Sequence, residues 1–293
     1  MNTLPHCSGS AGKKETSMAT DITYPQPLPD STALTFLPNL VSKDSFDFNA
    51  AFSPDGRSYY FTRNINHKTI IHVSHYNDTN WTEPMPIDFG ANGHSDADPA
   101  FAPDGKLYFI SDRPKNASDT LPDFDIWVTS PLANNSWSAP QRLESINTDS
   151  NEFYISFGAN GNLYFASSRP GGYGEEDIYV SRLVNAQYTT PTNLGPAINT
   201  ARAEFDPFIT AREDLLVFAS SNRADGFGGA DLYYAQSANN QTWQPAIHFD
   251  NRINTNTRDF CPYFSPDLKY FFFSSERNVK WINAAYLRKI MGL

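Results

Sequence analysis

The chain has 293 residues, a net charge of −10, 14% aromatic residues and only 18% charged ones. An acidic chain without a Lys/Arg cluster matches neither nucleic acid nor an anionic membrane surface, both of which select basic faces, and no apolar run of 18 residues is present to span a bilayer. Its two cysteines, Cys7 and Cys261, exclude a disulfide framework, while the aromatic content and closely spaced Pro, Gly, Asn and Ser favour an all-β fold.

Residues 1–30, opening with MNTLPHCSGSAGKKETSMAT, lack the apolar core of a signal peptide and are expected to form a disordered leader. Residues 31–293 read as a single repetitive domain. Five segments align: DFNAAFSPDGRSYYFTRN, DADPAFAPDGKLYFISDRP, EFYISFGANGNLYFASSRPGG, EFDPFITAREDLLVFASSNRADG and DFCPYFSPDLKYFFFSSERN. Each is an apolar strand, a tight polar turn that supplies a positive φ, and an aromatic second strand ending near an arginine. A third strand follows as TIIHVSHY, DIWVTS, DIYVSRL, DLYYAQ and INAAYL, and a fourth as WTEPMPI, WSAPQRL, YTTPTNL and WQPAIHF.

Four antiparallel strands per repeat is the unit of a propeller blade. The last repeat lacks a fourth strand, and LPNLVSKDSFD near the start aligns without a gap to LGPAINTARAE, placing Leu40 and Val41 where a fourth strand ends. The expectation is therefore a five-bladed propeller closed by its N-terminal strand. A sixth blade would have to come from about twenty-five residues, half the usual allotment. The C-terminal NAAYLRKIMGL reads equally as an extension of the last strand or a short helix.

The FSPDG, YFxSxR and DIY signature, best developed in FASSRPGGYGEEDIYV and LGPAINTARAEFDPFI, resembles the TolB-type WD-like propeller repeat of bacterial envelope proteins from Leu37 to about Arg288. The resemblance implies a periplasmic or cell-envelope setting and a monomeric binding domain. The family's namesake has six blades and a further N-terminal domain, so its partner does not carry over to a chain whose repeats imply five.

Alignment turns single residues into columns. Every first strand starts with an acid: Asp47, Asp96, Glu152, Glu204 and Asp259. Two positions on, the column reads Asn49, Asp98, Tyr154, Asp206 and Cys261. Arg63, Arg113, Arg169, Arg223 and Arg277 follow the second strands, and Asp125, Asp177 and Asp231 open three of the third strands. Features repeated in every blade are expected to brace the ring, through backbone N–H groups on carboxylates and paired guanidinium bonds.

Asp98 and Asp206 break the symmetry. With Asp96, Glu204 and the loop residue His94 they are the candidate ligand-binding groups of an acidic channel mouth, and Asp98 and Asp206 are the candidate ligands for a hard cation such as calcium. The expected function is a non-catalytic scaffold presenting this face to an envelope protein, peptide or glycan. The alternative is a glycoside hydrolase or lyase placing two of these acids across a sugar. His72 and His75 fall on opposite faces of a strand and share no metal, the glycine loops RPGGYGEED and NRADGFGGAD read as turns of the repeat, and Cys261 reads as a small buried residue.

Overall fold

The computed structural model describes residues 22–43, 46–87, 89, 93–119, 123–133, 136–238 and 242–292. Residues 1–21 of the expected leader lie outside this set. Ile22 and Tyr24, which also fall in that leader, are packed: Ile22 is buried and Tyr24 stacks on Trp281 at 5.8 Å.

Five four-stranded antiparallel sheets form a ring. Blade 1 comprises Phe46–Phe52, Ser58–Ile65, Lys68–His75 and Met85–Pro86. Blade 2 comprises Asp96–Phe101, Leu107–Ser111, Asp125–Thr129 and Gln141–Arg142. Blade 3 comprises Glu152–Phe157, Leu163–Ser167, Asp177–Ser181 and Thr192–Asn193. Blade 4 comprises Glu204–Ile209, Leu215–Ser221, Ala230–Gln236 and Ile247–His248. Blade 5 has Phe260–Phe264, Tyr270–Ser275 and Asn278–Asn283, and takes its outer strand, Leu34–Thr35, from the other end of the chain. First strands of neighbouring blades touch all the way round, so they form the innermost layer.

The first-to-second hairpins follow from the turn residues. Asp55, Asp104, Asn160 and Asp267 each accept the backbone N–H two residues on, at 3.0 to 3.2 Å, which stabilises the turn locally. Gly56, Gly105 and Gly161 supply the positive φ in blades 1 to 3, whereas Glu213 and Leu268 adopt it in blades 4 and 5.

Closure of the ring rests on Phe36. Leu34 pairs with Trp281 and Thr35 with Lys280, and the Phe36 N–H donates to Val279 O at 2.9 Å. The fully buried Phe36 ring lies 4.8 Å from Tyr59 of blade 1 and 5.0 Å from Phe272 of blade 5, filling the seam between the first and last blades. The closing strand ends ahead of Leu40 and Val41. Those two lie in the turn that follows, because the strand pairs only up to the residues preceding the Leu-rich turn, as Thr192–Asn193 does in blade 3.

The third strand of blade 5 is also earlier than INAAYL. Glu276 and Arg277 both have positive φ and make a two-residue turn, so pairing resumes at once between Ser275 and Asn278. The sequence from Ala284 to Met291 is helical, capped by the Asn283 side chain and ended by Gly292 at φ 72°, with Leu287 and Met291 buried against blades 4 and 5.

Replacing Phe36 with alanine is expected to cost about 3–5 kcal/mol, the range for a fully buried aromatic, because the cavity opens at the seam between the first and last blades. Urea unfolding of the full chain measures it. A loss under about 1 kcal/mol would mean that blades 1 and 5 hold together without it.

Candidate functional site

Glu152, Glu204 and Asp259, which stand at the start of first strands, each collect several hydrogen bonds. Thr148 donates its N–H and hydroxyl to Glu152 at 3.0 and 2.8 Å, Thr200 likewise holds Glu204, and Thr255 likewise holds Asp259. These threonines sit in Ile-Asn-Thr turns arriving from the preceding blade. Serines from the second strand add bonds: Ser167 to Glu152 at 2.8 Å and Ser220 to Glu204 at 2.7 Å.

Four arginines complete the set. Arg63 binds Asp47 at 2.7 Å, Arg113 binds Asp96 at 2.8 Å, Arg169 binds Glu152 at 3.1 Å and Arg223 binds Glu204 at 2.9 Å. Arg63, Arg169 and Arg223 also donate to the carbonyls of Val41, Ile146 and Ile198 in the incoming turns. Each guanidinium lies over an aromatic ring of its own blade, such as Tyr233 at 4.5 Å from Arg223. Arg277 is placed differently: it belongs to the two-residue turn, its carbonyl accepts from Asp47 N–H, and its guanidinium lies 5.2 Å from the Phe46 ring centroid. Asp47, Glu152, Glu204 and Asp259 are fully buried, so they are walled off from solvent rather than displayed at a mouth.

The second acid column acts on the glycine loops. Asp177 accepts from the N–H groups of Tyr173 and Gly174, and Asp231 from those of Phe227 and Gly228. A Cβ at Gly172 would fall 1.9 Å from Asp177 Oδ2, and one at Gly228 would fall 2.0 Å from Thr257 O, so only glycine allows the loop to fold onto its aspartate. Asp125 has no such loop and instead takes two bonds from Arg142, at 2.6 and 2.9 Å. The Ile-Asn-Thr asparagines clamp the third strands: Asn147, Asn199 and Asn254 each bond both backbone groups of Ile126, Ile178 and Leu232.

The column two residues beyond the acids has its own geometry. Asn49, Asp98, Tyr154, Asp206 and Cys261 all have φ between 44° and 64°, and at each the register of the first strand slips by a bulge. All five are buried and joined from blade to blade. Cys261 donates its N–H to Asp206 Oδ2 at 3.0 Å and its Sγ–H at 3.4 Å, and the Tyr154 hydroxyl reaches across to Pro262 O at 2.8 Å. Blade 3 is thereby tied to blade 5 through the middle of the ring.

Burial, with the Asp206 charge second, pushes Asp98 well above the usual carboxylate range. Burial also raises Asp206, to about 6, against the lowering effect of the Cys261 bonds and Arg258. Glu176, beside this group, is raised to about 7 by burial and then by Asp206. Asp98 and Asp206 are thus brought together, as are Asp96 with Arg113 and Glu204 with Arg223. His94 is not part of the bulge group; its Nδ1 lies 3.7 Å from Asp112 Oδ1. His72 is buried with Nδ1 on Ile70 O, and His75 is exposed on Ser58. Among the described residues no three His, Cys, Asp or Glu side chains gather as a metal donor set.

An open concavity at the axis of the ring lies elsewhere, where the first strands end and their hairpins turn. It is a funnel of about 330 Å³ floored by Tyr154 and walled by Phe101, Phe157, Phe208 and Tyr263, with Pro103, Pro266 and Leu268 among its rim residues. No charged side chain lines it. Its serine hydroxyls are already engaged, Ser156 donating to Pro207 O and Ser265 to Asp267, and the Tyr263 hydroxyl oxygen accepts from the Phe52 N–H. Sequence reasoning missed it because each lining residue reads individually as strand core or hairpin turn. The repeated Pro in PDG and PDL turns was the one available signal.

No protein-family model and no curated protein matches the chain. Among solved structures it is similar to a thermostable family-43 glycoside hydrolase, with a TM-score of 0.54 at 14% identity over 89% of this chain and 91% of that one. It is also similar to a gluconolactonase from Xanthomonas campestris, at 0.50 and 10% over 86% and 88%, and to TolB from Acinetobacter baumannii, at 0.50 and 13% over 83% of this chain. The chain spans 56% of that TolB. These likenesses establish the propeller fold; at such identities they carry no activity across.

Two measurements test the electrostatics. Glu204→Gln leaves the largely buried Arg223 without its countercharge and is expected to lower stability by about 3–5 kcal/mol in denaturant titrations. Glu176 holds its proton up to about 7 when folded, against 4.5 for the free group, so the unfolded chain loses its proton first and stability falls as pH rises through that window. Glu176→Gln should remove this fall, on the order of 2–3 kcal/mol, from a stability profile taken between pH 4 and 8. An identical profile in the variant would show that Glu176 titrates normally.

Proposed function

We propose that the chain is a non-catalytic binding propeller whose ligand enters the uncharged funnel, the ligand being an apolar peptide segment of a partner protein. The observation that carries this reading is the division of labour between the two ends of the channel. Four of the five column acids are fully buried in bonds to threonine, serine and arginine, while the concavity at the other end of the channel has aromatic and proline walls and no carboxylate. A glycan needs free polar partners in its site, whereas the serine hydroxyls of these walls are already bonded within the protein. A funnel of about 330 Å³ is at the small end of ligand sites, the size for a few apolar side chains. A periplasmic or cell-envelope setting fits this reading through the resemblance of the repeat.

Carbohydrate hydrolysis is the second reading, favoured by one observation: Asp98 and Asp206 are neighbouring carboxylates with raised affinities for protons, a property of general acids. The propeller hydrolases of similar fold keep that reading in play.

Both readings meet in one set of experiments. Random peptides panned on the protein should be enriched in large apolar residues, and the selected peptides should lose at least about tenfold in affinity, ~1.4 kcal/mol, for Ala159→Arg and Leu268→Arg, two exposed rim positions. Peptides that bind the rim variants unchanged would exclude the funnel. Turnover of pectic or arabinan oligosaccharides that disappears in Asp206→Asn would establish the hydrolase instead.

A further inference from the structure

Blade 5 departs from its neighbours at the place where they seat a guanidinium. In blade 3, Arg169 bonds Ser167 Oγ at 2.9 Å, Ile146 O at 2.8 Å and Glu152 at 3.1 Å, between the rings of Phe165 and Tyr179 at 5.0 and 4.9 Å. Arg223 repeats this in blade 4 on Ser220, Ile198 O and Glu204. Strand register carries the same surroundings into blade 5. Phe260 pairs with Ser274 as Phe205 does with Ala219, so Ser275 stands opposite Asp259 as Ser220 does opposite Glu204, and Phe273 stands where Phe218 does. The incoming turn from Ile253 to Thr255 corresponds to that from Ile198 to Thr200. The arginine is what differs, because Arg277 lies in the two-residue turn with its guanidinium 5.2 Å from the Phe46 ring of blade 1.

These surroundings form a cavity of about 520 Å³ at the seam of blades 4 and 5, lined by Ile253, Thr255, Phe273, Ser275, Glu276 and Lys280 among others. The Ser275 Oγ is buried there without a hydrogen-bond partner, in a residue 1% exposed, which is costly unless a polar group meets it. Asp259, opposite it, is held by the Thr255 N–H and hydroxyl at 2.6 and 3.1 Å, and among the described residues no lysine or arginine pairs with it. The two cations that line the cavity are turned to other partners. Lys280, which stands where blades 3 and 4 have Tyr179 and Tyr233, is held by Glu276 at 2.9 Å and Thr35 at 3.4 Å. Arg252 lies over Tyr286 at 5.0 Å and bonds its hydroxyl.

We propose that this cavity is a binding site for a guanidinium group supplied by another molecule. The group lies on Phe273, donates to Ser275 Oγ and Ile253 O, and finds its countercharge in Asp259 and the exposed Glu276. These are the kinds of contact that the chain's own arginines make in blades 3 and 4. A planar fork of donors satisfies carbonyl, hydroxyl and ring together, which a point-like ammonium does not. The cavity lies by the turn from second to third strand, whereas the funnel lies at the first-to-second hairpins, so the site is independent of what the funnel binds.

Blade 1 supplies the decisive variant. There Arg63 stands opposite the acid Asp47, the position that Ser275 holds opposite Asp259, and its guanidinium lies 5.2 Å from the Phe61 ring and bonds Val41 O at 2.8 Å. Ser275→Arg thus places the chain's own guanidinium in the cavity. Calorimetric titration of the full chain at low salt uses agmatine and a blocked Gly-Arg-Gly peptide as probes, with the matching citrulline and lysine peptides and inorganic phosphate as controls. Agmatine or the arginine peptide should bind at least about tenfold more tightly than the citrulline peptide, and the tighter of the two identifies the source of the group. Ser275→Arg should abolish this binding while unfolding at or above the parent's midpoint. Lys280→Tyr, which restores the second ring, should strengthen it by about threefold or more. The proposal is overturned if neither guanidinium probe is preferred to the citrulline and lysine peptides, if phosphate binds in their place, or if binding is unchanged in Ser275→Arg.

Discussion

Each blade begins with a carboxylate bonded into the ring, fully buried in four of the five. Taking an ion out of water costs several kcal/mol, and it is tolerated only when hydrogen bonds replace the lost solvent. Here the replacement comes from two directions at once. In blade 3 the incoming turn supplies Thr148 and the blade itself supplies Ser167 and Arg169. Glu152 therefore fastens the end of one blade to the start of the next, and the guanidinium reaches past it to the Ile146 carbonyl. Blade 5 shows the tolerance of the device, since Asp259 relies on Thr255 while Arg277 serves a tight turn.

The acids are thus engaged in bonds within the ring, and the apolar funnel lies at the other end of the channel. Bulges immediately after the acids fill the middle of the ring with five side chains, and Tyr154 is both part of that plug and the floor of the funnel on its other side. The channel is thus divided into an electrostatic half that builds the fold and an apolar half that remains accessible. Similarity of fold to hydrolases, a lactonase and TolB does not choose among these uses, because the chemistry of a propeller lies in the side chains that its few variable positions present.

Closure makes the ring depend on a contact between the two ends of the chain. Every other blade is built from consecutive strands, whereas blade 5 borrows Leu34–Thr35 across the whole chain, and Phe36 then packs on both sides of the seam. Loop-closure entropy makes such a contact expensive to form, and the aromatic cluster of Phe36, Tyr59, Phe272 and Trp281 offsets it by burial.

The repeat alone was enough to determine blade number, the strand order within blades 1 to 4 and the borrowing of the N-terminal strand, because all three follow from local periodicity and turn chemistry. The acid and arginine columns were also legible, since a feature needed in every blade recurs at a fixed spacing. Boundaries in blade 5 were not: the positive φ values of Glu276 and Arg277 have no glycine to announce them, so the early third strand and the helix after it emerge only from packing. The bulges were hidden for the same reason, with Asn, Asp, Tyr, Asp and Cys sharing a conformation that their identities do not suggest. Nor could spacing say whether an acid faces solvent. That depends on what folds over it: the incoming turn with Thr200 and the blade's own Ser220 and Arg223 cover Glu204, and only the packing of blade on blade sets Asn49 of the first blade against Asp98 of the second.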